Sequence, residues 1–464
     1  MEDHVQIFTN IYEKCVWGNN NNPNYKGTSG DGSTIELNIN TYIPVLKNFI
    51  RDKNISTVVD LGCGDFRCGR HIYDYLDVTY YGYDAYDKVI ENNKASHSES
   101  KYNFTHLDFF NNRDQIISAD LCIMKDVLQH WNLANIYTLL DYFTETGKFK
   151  YILICNCATH PQHNADCPTG SGRHLACDFY PLRKYEPAKI YKYSTKEVSV
   201  ISVDALRDIR KRIIVSLTTI PARIENLNQT IQSLLNQTFK PDHIIINVPQ
   251  KYKRFYYFKM TDYYLGLLKK IEALAPGVVI VNFCEDYGPA TKIIPTLNHE
   301  LVNDDTKIIF LDDDRIYVPE LIRTLYNQSI LYPDYCITVA LWNLENISPT
   351  LYYSKKHSPP VHEYQKPGFG DIFLACCGVV ITRSMLDNHN ITKHHEQFPS
   401  LIKADNIFLS AILHQNKIPI YSCSVLYDQP RSINTSIMAL SAENNNKDFL
   451  NCISYLKNEL AIWQ

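Results

Sequence analysis

Short apolar or β-branched runs alternate with longer segments of helical periodicity through the first 200 residues. Such alternation predicts an α/β domain in which parallel strands are covered by helices on both faces. The predicted strands are 57–63, 78–84, 102–108, 119–127 and 151–157, followed by a strand pair within 189–203.

A second alternating pattern begins at residue 213, and no internal repeat relates it to the first. Its predicted strands are 213–221, 243–249, 277–283 and 307–311, and its predicted helices include 224–235, 290–301 and the C-terminal tail. We therefore predict an α/β chain of two Rossmann-like domains, 1–208 and 209–464, the second with a mixed sheet. The charged segment 203–212 is predicted to be a linker helix.

Composition excludes several classes of function. The 464 residues carry a net charge of −4, so no basic surface argues for nucleic acid. No apolar run reaches the length of a membrane span. The N-terminus lacks the features of a signal peptide, and 14 cysteines without an export signal predict reduced thiols. These features predict a cytoplasmic protein.

Ligands of such sheets bind beyond the carboxyl ends of the strands, and a first crevice is predicted at DLGCG. Gly62 and Gly64 allow a sharp turn between strand and helix. Asp60 would repel a pyrophosphate but suits a cationic ligand, Asp84 can hold a ribose diol, and Asp108 can accept from an adenine amine. A carboxylate-lined pocket without a phosphate cradle favours S-adenosylmethionine (SAM) over NAD.

The segments DLGCGD, GYD, HLDFF and KDVLQHW resemble class I SAM-dependent methyltransferases over roughly residues 10–203. The resemblance of segment 12–33 implies that Gly30 and Ser33 lie near the cofactor. One departure is that Asp65 and Phe66 follow Gly64 where many relatives have a third glycine, which leaves the path of the loop open.

KDVLQHW also offers groups for proton transfer during methylation. Asp126 follows the fourth strand, and His130 with Trp131 would lie over the pocket mouth. Histidine titrates near neutrality and suits a general base, although it could equally be a helix cap or a core residue.

A loop rich in cysteine and histidine follows the fifth strand. Its spacing matches no common zinc site, and the resemblance implies an acceptor loop carrying Arg173 and His174, so zinc remains the alternative. The residues are Cys155, Cys157, His160, His163, Cys167, His174 and Cys177.

A second crevice is predicted where the strand KIIFL runs into three aspartates, Asp312 to Asp314. Adjacent carboxylates repel unless a positive charge lies among them. A solvated turn is one interpretation. The other is a Mn²⁺ or Mg²⁺ site that binds the diphosphate of a nucleotide sugar.

The segments VSLTTIPARI, EDYGPATKIIPTL and FLDDD together resemble GT-A glycosyltransferases over about 213–430. The resemblance implies that Asp314 binds the metal and that Asp312 lies near the metal or the ribose. It implies an acceptor-side segment at 368–386 and a base at Asp405, whose alternative role is a helix N-cap. The residues implied to contact the nucleotide are Thr218, Arg223, Asp286 and Lys292.

Together the two domains resemble bifunctional glycan-building enzymes of giant DNA viruses. The interpretation is O-methylation of a sugar hydroxyl and metal-dependent transfer from a UDP- or dTDP-linked sugar to a glycan acceptor. The alternatives are methylation of a protein or small metabolite, a second domain that is a non-catalytic sugar-binding scaffold, and a dehydrogenase that binds NAD at Asp84.

Overall fold

The computed structural model divides into two compact units, Met1–Arg210 (unit 1) and Lys211–Gln464 (unit 2). It describes residues 3–159, 163–207, 210–344, 367–386, 404–423, 430–433 and 447–463.

Unit 1 alternates strands and helices as its sequence predicts. Its helices are α1 (His4–Glu13), α2 (Ile35–Asn38), α3 (Tyr42–Asp52), α4 (Gly69–Tyr73), α5 (Asp87–Ser96), α6 (Leu133–Thr146) and α7 (Val203–Arg207). Its strands are β1 (Thr57–Leu61), β2 (Thr79–Asp84), β3 (Tyr102–His106), β4 (Ala119–Lys125), β5 (Phe149–Cys157), β6 (Ala188–Tyr193) and β7 (Lys196–Ser202).

These strands form one seven-stranded sheet in the order β3-β2-β1-β4-β5-β7-β6. The first five strands are parallel, and β7 and β6 form an antiparallel hairpin beside β5. The chain reverses its direction of winding between β1 and β4, and a ligand crevice is expected at such a point. The order therefore places the crevice at the carboxyl ends of β1, β2 and β4.

Local signals in the sequence account for where α6 begins and ends. The side chain of Asn132 accepts from the Asn135 N–H, which caps the first turn. The helix ends at Gly147, whose φ of 65° lies in the left-handed region where glycine carries no steric cost. Its buried face, which includes Leu139, Leu140 and Phe143, joins the apolar core of unit 1.

Unit 2 is also α/β. Its helices are α8 (Leu227–Leu235), α9 (Asp262–Glu272), α10 (Ile294–Leu297), α11 (Leu321–Leu331), α12 (Asp405–Gln415) and α13 (Lys447–Leu460). Its strands are β8 (Ile213–Thr218), β9 (His243–Pro249), β10 (Val279–Cys284), β11 (Lys307–Phe310), β12 (Arg315–Ile316), β13 (Cys336–Thr338), β14 (Leu341–Trp342), β15 (Gly368–Gly370), β16 (Ile372–Phe373), β17 (Val379–Ile381), β18 (Ile420–Ser422) and β19 (Arg431–Ser432).

The main sheet of unit 2 has eight strands in the order β10-β9-β8-β11-β17-β13-β18-β15. The strands β10, β9, β8 and β11 are parallel, whereas β17 runs antiparallel to both β11 and β13. The expectation of α/β architecture with mixed sheets is confirmed. Because β11 and β8 are neighbours near the centre, the aspartates that follow β11 lie beside the segment that follows β8.

Two predicted helices differ from the structure. The segment 290–301 contains a 3-10 turn, Gly288–Lys292, and the four residues of α10 instead of one long helix. Pro295 has no N–H to donate and fits only the first turn of a helix, so the chain restarts there. The predicted linker helix 203–212 is helical over Val203–Arg207, whereas the helix predicted in the tail is confirmed as α13.

Each unit has an apolar core around its sheet. In unit 2 this core includes Phe310 from β11, Phe408 from α12 and Leu456 from α13. None of the helices in the described part of the chain combines the length and the hydropathy that a membrane span requires.

Gly69, at the start of α4, gives a test of packing in unit 1. A Cβ there would lie 2.0 Å from the ring of Phe66, so Gly69→Ala is expected to cost about 1–3 kcal/mol of unfolding free energy. Gly266→Ala in α9 is the control. Its Cβ would meet nothing within 4 Å, and it should be neutral or stabilising by about 0.5–1 kcal/mol.

Urea denaturation followed by hydrogen exchange of peptides from each unit measures both changes separately. Equal stability of Gly69→Ala and the unmodified chain in unit 1 would contradict this account of the Phe66 contact.

Candidate functional site

A pocket opens at the carboxyl ends of β1, β2 and β4 in unit 1. It encloses about 990 Å³ free of protein atoms, solvent at its mouth included. Its lining includes the predicted residues Asp60, Gly62, Gly64, Asp84, Ser33, Asp126 and His130. The fold therefore brings most of the predicted methyltransferase residues to one place.

The glycines of the loop after β1 are required by protein contacts. Gly62 and Gly64 have φ values of 76° and 54°. A Cβ on Gly62 would lie 2.6 Å from Val127, and one on Gly64 would lie 2.3 Å from the hydroxyl of Ser29. The space beside these two α-carbons is filled by side chains of the protein.

Asp84 holds the same loop in place. Its carboxylate accepts from the backbone N–H groups of Gly64 and Tyr86, each at 3.0 Å. Burial raises the pKa of Asp84 above its usual value, against the effect of these hydrogen bonds. A carboxylate bonded mainly to backbone N–H groups keeps lone pairs for a ligand hydroxyl.

Asp60 lies at the base of the pocket. Its carboxylate accepts from the Tyr80 hydroxyl at 2.9 Å. Removal from water raises the pKa of Asp60 to about 7, although the Tyr80 hydrogen bond acts in the opposite direction. Asp60 therefore changes charge in the neutral range, and a cationic ligand would favour its ionised form.

The other predicted cofactor residues lie at different places. Asp108 caps a turn by accepting from the backbone N–H groups of Phe110 and Asn111 at 3.1 and 3.0 Å. It is not among the residues that line the pocket, and its neighbour Phe109 is. Gly30 accepts a 2.7 Å hydrogen bond from the Ser33 hydroxyl, and of these two residues only Ser33 lines the pocket.

Asp126 is held between two lysines. Its carboxylate contacts Lys125 at 2.8 Å and also accepts directly from Lys196, whose side chain is buried. Burial opposes its ionisation, but the two lysines outweigh burial and lower its pKa. Asp126 has a φ of 60°, a strained conformation for a residue with a Cβ. A carboxylate neutralised in this way is a weak proton acceptor.

His130 has the geometry of a neutral base. Its Nδ1–H donates to the carbonyl oxygen of Ser171 at 2.8 Å, which leaves a lone pair on Nε2. The side-chain N–H of Gln129 donates to this lone pair at 3.3 Å, so an acceptor hydroxyl would have to displace a long hydrogen bond to reach Nε2. Burial lowers the pKa of His130, so the unprotonated ring is favoured at neutral pH. The ring of Trp17, which also lines the pocket, lies 4.8 Å from the imidazole.

The predicted acceptor loop packs beside His130. Arg173 donates its backbone N–H to Gln129, and its guanidinium lies 3.1 Å from the Cys167 sulfur. Burial lowers the pKa of Arg173, whose Nε and Nη2 have no hydrogen-bond partner among the described residues. His174 accepts from the Thr159 N–H at 3.3 Å. Neither side chain lines the pocket.

Cysteines of this loop have separate neighbours. Cys155 lies 3.6 Å from the Tyr193 hydroxyl, and Cys157 lies 3.5 Å from the Lys196 ammonium. Among the residues that the structure describes, no three His, Cys, Asp or Glu side chains gather where they could hold a metal ion. His160 lies outside the described residues.

In unit 2, a buried lysine lies between two of the predicted carboxylates. The Lys292 ammonium contacts Asp312 directly and Asp405 at 3.1 Å, and its side chain is only 7% exposed. Burial would lower the pKa of Lys292, but the two carboxylates outweigh burial and raise it. Lys292 likewise lowers the pKa of Asp312 against the effect of burial. The fold thus joins three segments that are far apart in sequence.

The other two aspartates of the triplet bind Arg223. Its guanidinium lies 2.7 Å from Asp313 and 3.2 Å from Asp314. Asp313 is buried and also accepts from the Thr219 hydroxyl at 2.7 Å. The repulsion among the three aspartates is thus compensated by cations of the protein itself.

These contacts do not fit a divalent cation bound directly by Asp312 and Asp314. Lys292 already neutralises the first carboxylate and Arg223 the second, so an ion that binds both would have to displace two protein cations. The sequence-based expectation of Mn²⁺ or Mg²⁺ stays a prediction.

The remaining predicted nucleotide contacts are bonded to backbone. The Thr218 hydroxyl donates to the carbonyl oxygen of Asn247 at 2.8 Å. Asp286 is buried and accepts from the N–H groups of Lys253 and Gly288 at 2.6 and 2.8 Å. Asp286 therefore ties the segment after β9 to the turn that carries Lys292.

Several site residues were missed by sequence reasoning. Ser29 accepts from the Asp65 N–H at 2.9 Å and thereby closes the glycine loop, and Lys196 binds Asp126 from β7. A lysine at the start of an apolar strand was the available signal for Lys196. Ser29 adjoins the predicted Gly30 but has no pattern of its own.

Lys292 gives a test of electrostatics in unit 2. Lys292→Met leaves Asp312 and Asp405 without their shared cation, and we expect a loss of about 3–5 kcal/mol of unfolding free energy. The control is Lys211→Met, which removes an exposed ion pair 3.6 Å from Asp305 and should cost under about 1 kcal/mol.

Hydrogen exchange of the β11 peptide in increasing urea measures both variants. Similar losses of unfolding free energy for the two variants would contradict this account, because burial would then not increase the contribution of Lys292 to stability.

Comparisons with known proteins give the following. No protein-family model and no curated protein sequence matches the chain. Solved structures similar to it include human N-acetylserotonin methyltransferase in complex with SAM (17% identity, TM-score 0.29), which covers 36% of this chain and 52% of that one. The bifunctional kinase-methyltransferase WbdD (13% identity, TM-score 0.29) covers 37% of this chain and 40% of that one.

The mitomycin 7-O-methyltransferase MmcR is similar at 13% identity and a TM-score of 0.28, over 34% of this chain and 53% of that one. This chain thus spans about half the length, or less, of the three structures named here. All three are methyltransferases by name, and at these scores neither their activities nor their substrates transfer to this chain.

Proposed function

We propose that unit 1 is a SAM-dependent O-methyltransferase. The observation that carries the proposal is the charge of its pocket. Asp65 pairs with Arg67 at 2.9 Å and Asp126 pairs with lysines, whereas Asp60 and Asp84 are held by a hydroxyl and by backbone N–H groups. The pocket thus offers carboxylate charge to a cation and no cradle for a pyrophosphate, which weighs against NAD.

The pocket residues fit the parts of SAM. Asp60 would attract positive charge, Asp84 has lone pairs for ribose hydroxyls, and Phe109 with Trp131 supplies apolar surface. When bound, SAM supplies a methyl group on a positively charged sulfur.

The acceptor is proposed to be a hydroxyl activated by His130. Nε2 of His130 would accept the hydroxyl proton while the oxygen takes the methyl group that bound SAM would supply, with the neutral thioether as the leaving product. The Ser171 carbonyl fixes the ring because it accepts from Nδ1–H. Asp126 is the less suitable base, since Lys125 and Lys196 keep its charge neutralised.

A sugar hydroxyl is the acceptor we propose, because the same chain carries the second crevice. Methylation of a protein or of a small metabolite is the alternative. Incubation with labelled SAM and panels of free sugars, peptides and phenols separates these acceptors, with His130→Gln expected to reduce turnover about 10²-fold or more.

The test of the cofactor is the pH dependence of binding. We expect SAM and S-adenosylhomocysteine both to raise the thermal stability of unit 1, by about 2.7 kcal/mol at a hundredfold their dissociation constants. Asp60 ionises with a pKa of about 7. Binding of SAM, whose sulfur is positively charged, should therefore strengthen from pH 6 to pH 8 relative to binding of S-adenosylhomocysteine, whose sulfur is uncharged. Titration calorimetry at each pH measures this preference.

Asp60→Asn is the matched variant and should bind SAM with no such pH dependence. Asp108→Asn tests the predicted adenine contact, and from its position in the turn we expect unchanged affinity. Absence of stabilisation by either ligand at any pH would overturn the proposal for unit 1.

For unit 2 we propose glycosyl transfer from a nucleotide sugar. The supporting observation is the cluster of Asp312 with the buried Lys292 and Asp405 at the carboxyl end of a central parallel strand. Arg223 and Lys292 carry positive charge suited to a leaving diphosphate. A diphosphate that draws Lys292 towards itself would free Asp405 to accept the proton of an acceptor hydroxyl in an inverting reaction. A non-catalytic sugar-binding scaffold is the alternative.

Nucleoside diphosphates and UDP- or dTDP-linked sugars test this proposal in thermal melts with and without Mn²⁺. We expect stabilisation by one of them, and Arg223→Gln should weaken its binding about tenfold or more, the usual range for a hydrogen bond to a charged group. Stabilisation that needs Mn²⁺ would support the predicted metal. If no nucleotide or nucleotide sugar stabilises unit 2 under either condition, the glycosyltransferase proposal is wrong. A non-catalytic sugar-binding scaffold is then the remaining alternative.

A further inference from the structure

The segment after β9 in unit 2 is unusually rich in aromatic and basic residues. Residues 250–260 read QKYKRFYYFKM, and two further tyrosines follow at 263 and 264. Over 250–264 the chain has four basic residues and one acidic residue, whereas the whole chain has a net charge of −4. We call the exposed side chains Lys251, Tyr256, Tyr257, Lys259 and Tyr263 the aromatic–basic surface.

Other residues of the segment hold it to the body of unit 2. Tyr252 is buried, and its hydroxyl donates to the Thr219 carbonyl oxygen at 3.2 Å. Phe255 is buried too, and the ring of Phe258 lies 5.6 Å from that of Tyr252. The Lys253 N–H donates to Asp286 at 2.6 Å. The fold of the segment is thus accounted for without the aromatic–basic surface.

The tyrosines of this surface point into solvent. Tyr256 is 87% exposed, Tyr257 is 63% exposed and Tyr263 is 58% exposed. The rings of Tyr256 and Tyr257 meet edge to face, with centroids 5.7 Å apart, and the Tyr263 hydroxyl donates to Glu225 at 2.8 Å. Side chains this exposed project outward, so they form a raised surface and not a groove.

Basic residues flank these rings in the sequence. Lys251 and Lys259 are exposed before and after the tyrosine pair, while Glu285 lies 3.5 Å from the Lys253 ammonium and offsets its charge. Asp262 is also exposed, so the excess of basic residues in the segment is small. At a membrane–water interface, the ring of tyrosine contacts lipid while its hydroxyl stays hydrated, and the lysine ammonium lies at the level of anionic headgroups.

We propose that the aromatic–basic surface docks unit 2 onto an anionic lipid bilayer. A raised surface suits shallow insertion into headgroups, whereas a nucleic acid strand or a glycan chain is bound along a groove that follows its backbone. Asp286 and Thr219 tie the segment to the second crevice, so docking would hold that crevice close to the membrane. The proposal is independent of the chemistry proposed for either unit.

The test is sedimentation of the full-length protein with vesicles of phosphatidylcholine alone or with 3 parts in 10 of phosphatidylglycerol. We expect binding to the anionic vesicles at about tenfold or more over the neutral ones, and weakening in high salt, because screening shortens the range of charge attraction. Lys251→Gln/Lys259→Gln and Tyr256→Ser/Tyr257→Ser should each reduce the affinity about tenfold.

The control is Tyr75→Ser, which removes an 83% exposed tyrosine from unit 1 and should leave vesicle binding unchanged. Circular dichroism checks that all variants fold. Equal binding to neutral and anionic vesicles, or an equal loss in Tyr75→Ser, would overturn the proposal. The proposal would also be overturned if the protein bound single-stranded DNA but no vesicles, and if Tyr256→Ser/Tyr257→Ser abolished that DNA binding.

Discussion

Carboxylates that follow parallel strands hold their charge largely out of water in both units, and the contacts around each crevice compensate for this. Ionised groups in such positions are costly unless hydrogen bonds or opposite charges compensate them. In unit 1, Asp84 is compensated by backbone N–H groups of the glycine loop. In unit 2, Asp312 and Asp405 share the buried ammonium of Lys292.

The two solutions give the crevices different chemistry. Backbone N–H groups carry no net charge, so the pocket of unit 1 keeps negative charge and suits a cationic ligand. Lysine and arginine cancel the charge of the aspartates in unit 2. An anionic ligand would compete with those aspartates for the same cations. A proposed SAM site and a proposed nucleotide-sugar site are consistent with this contrast.

Much of the fold followed from the sequence because the strands are short apolar runs with polar segments between them. The strand 243–249 and the hairpin within 189–203 are present, since β-branched residues and flanking turns mark them locally. The helix expected over 290–301 was wrong in length because Pro295 interrupts the hydrogen-bond ladder. Of the predicted site residues, Asp60, Asp84 and His130 line one pocket, whereas nothing in the sequence indicated that Asp108 would cap a turn beside it.

The sequence by itself determined the order of strands and helices and the carboxylates at the strand ends, because hydrophobic periodicity and residue type are local properties. Only the tertiary structure decided which charges neutralise which carboxylates. Lys196 reaches Asp126 across 70 positions, and Arg223 reaches Asp313 across 90. Such pairs leave no pattern in a single sequence, since they depend on which segments the sheet order brings side by side.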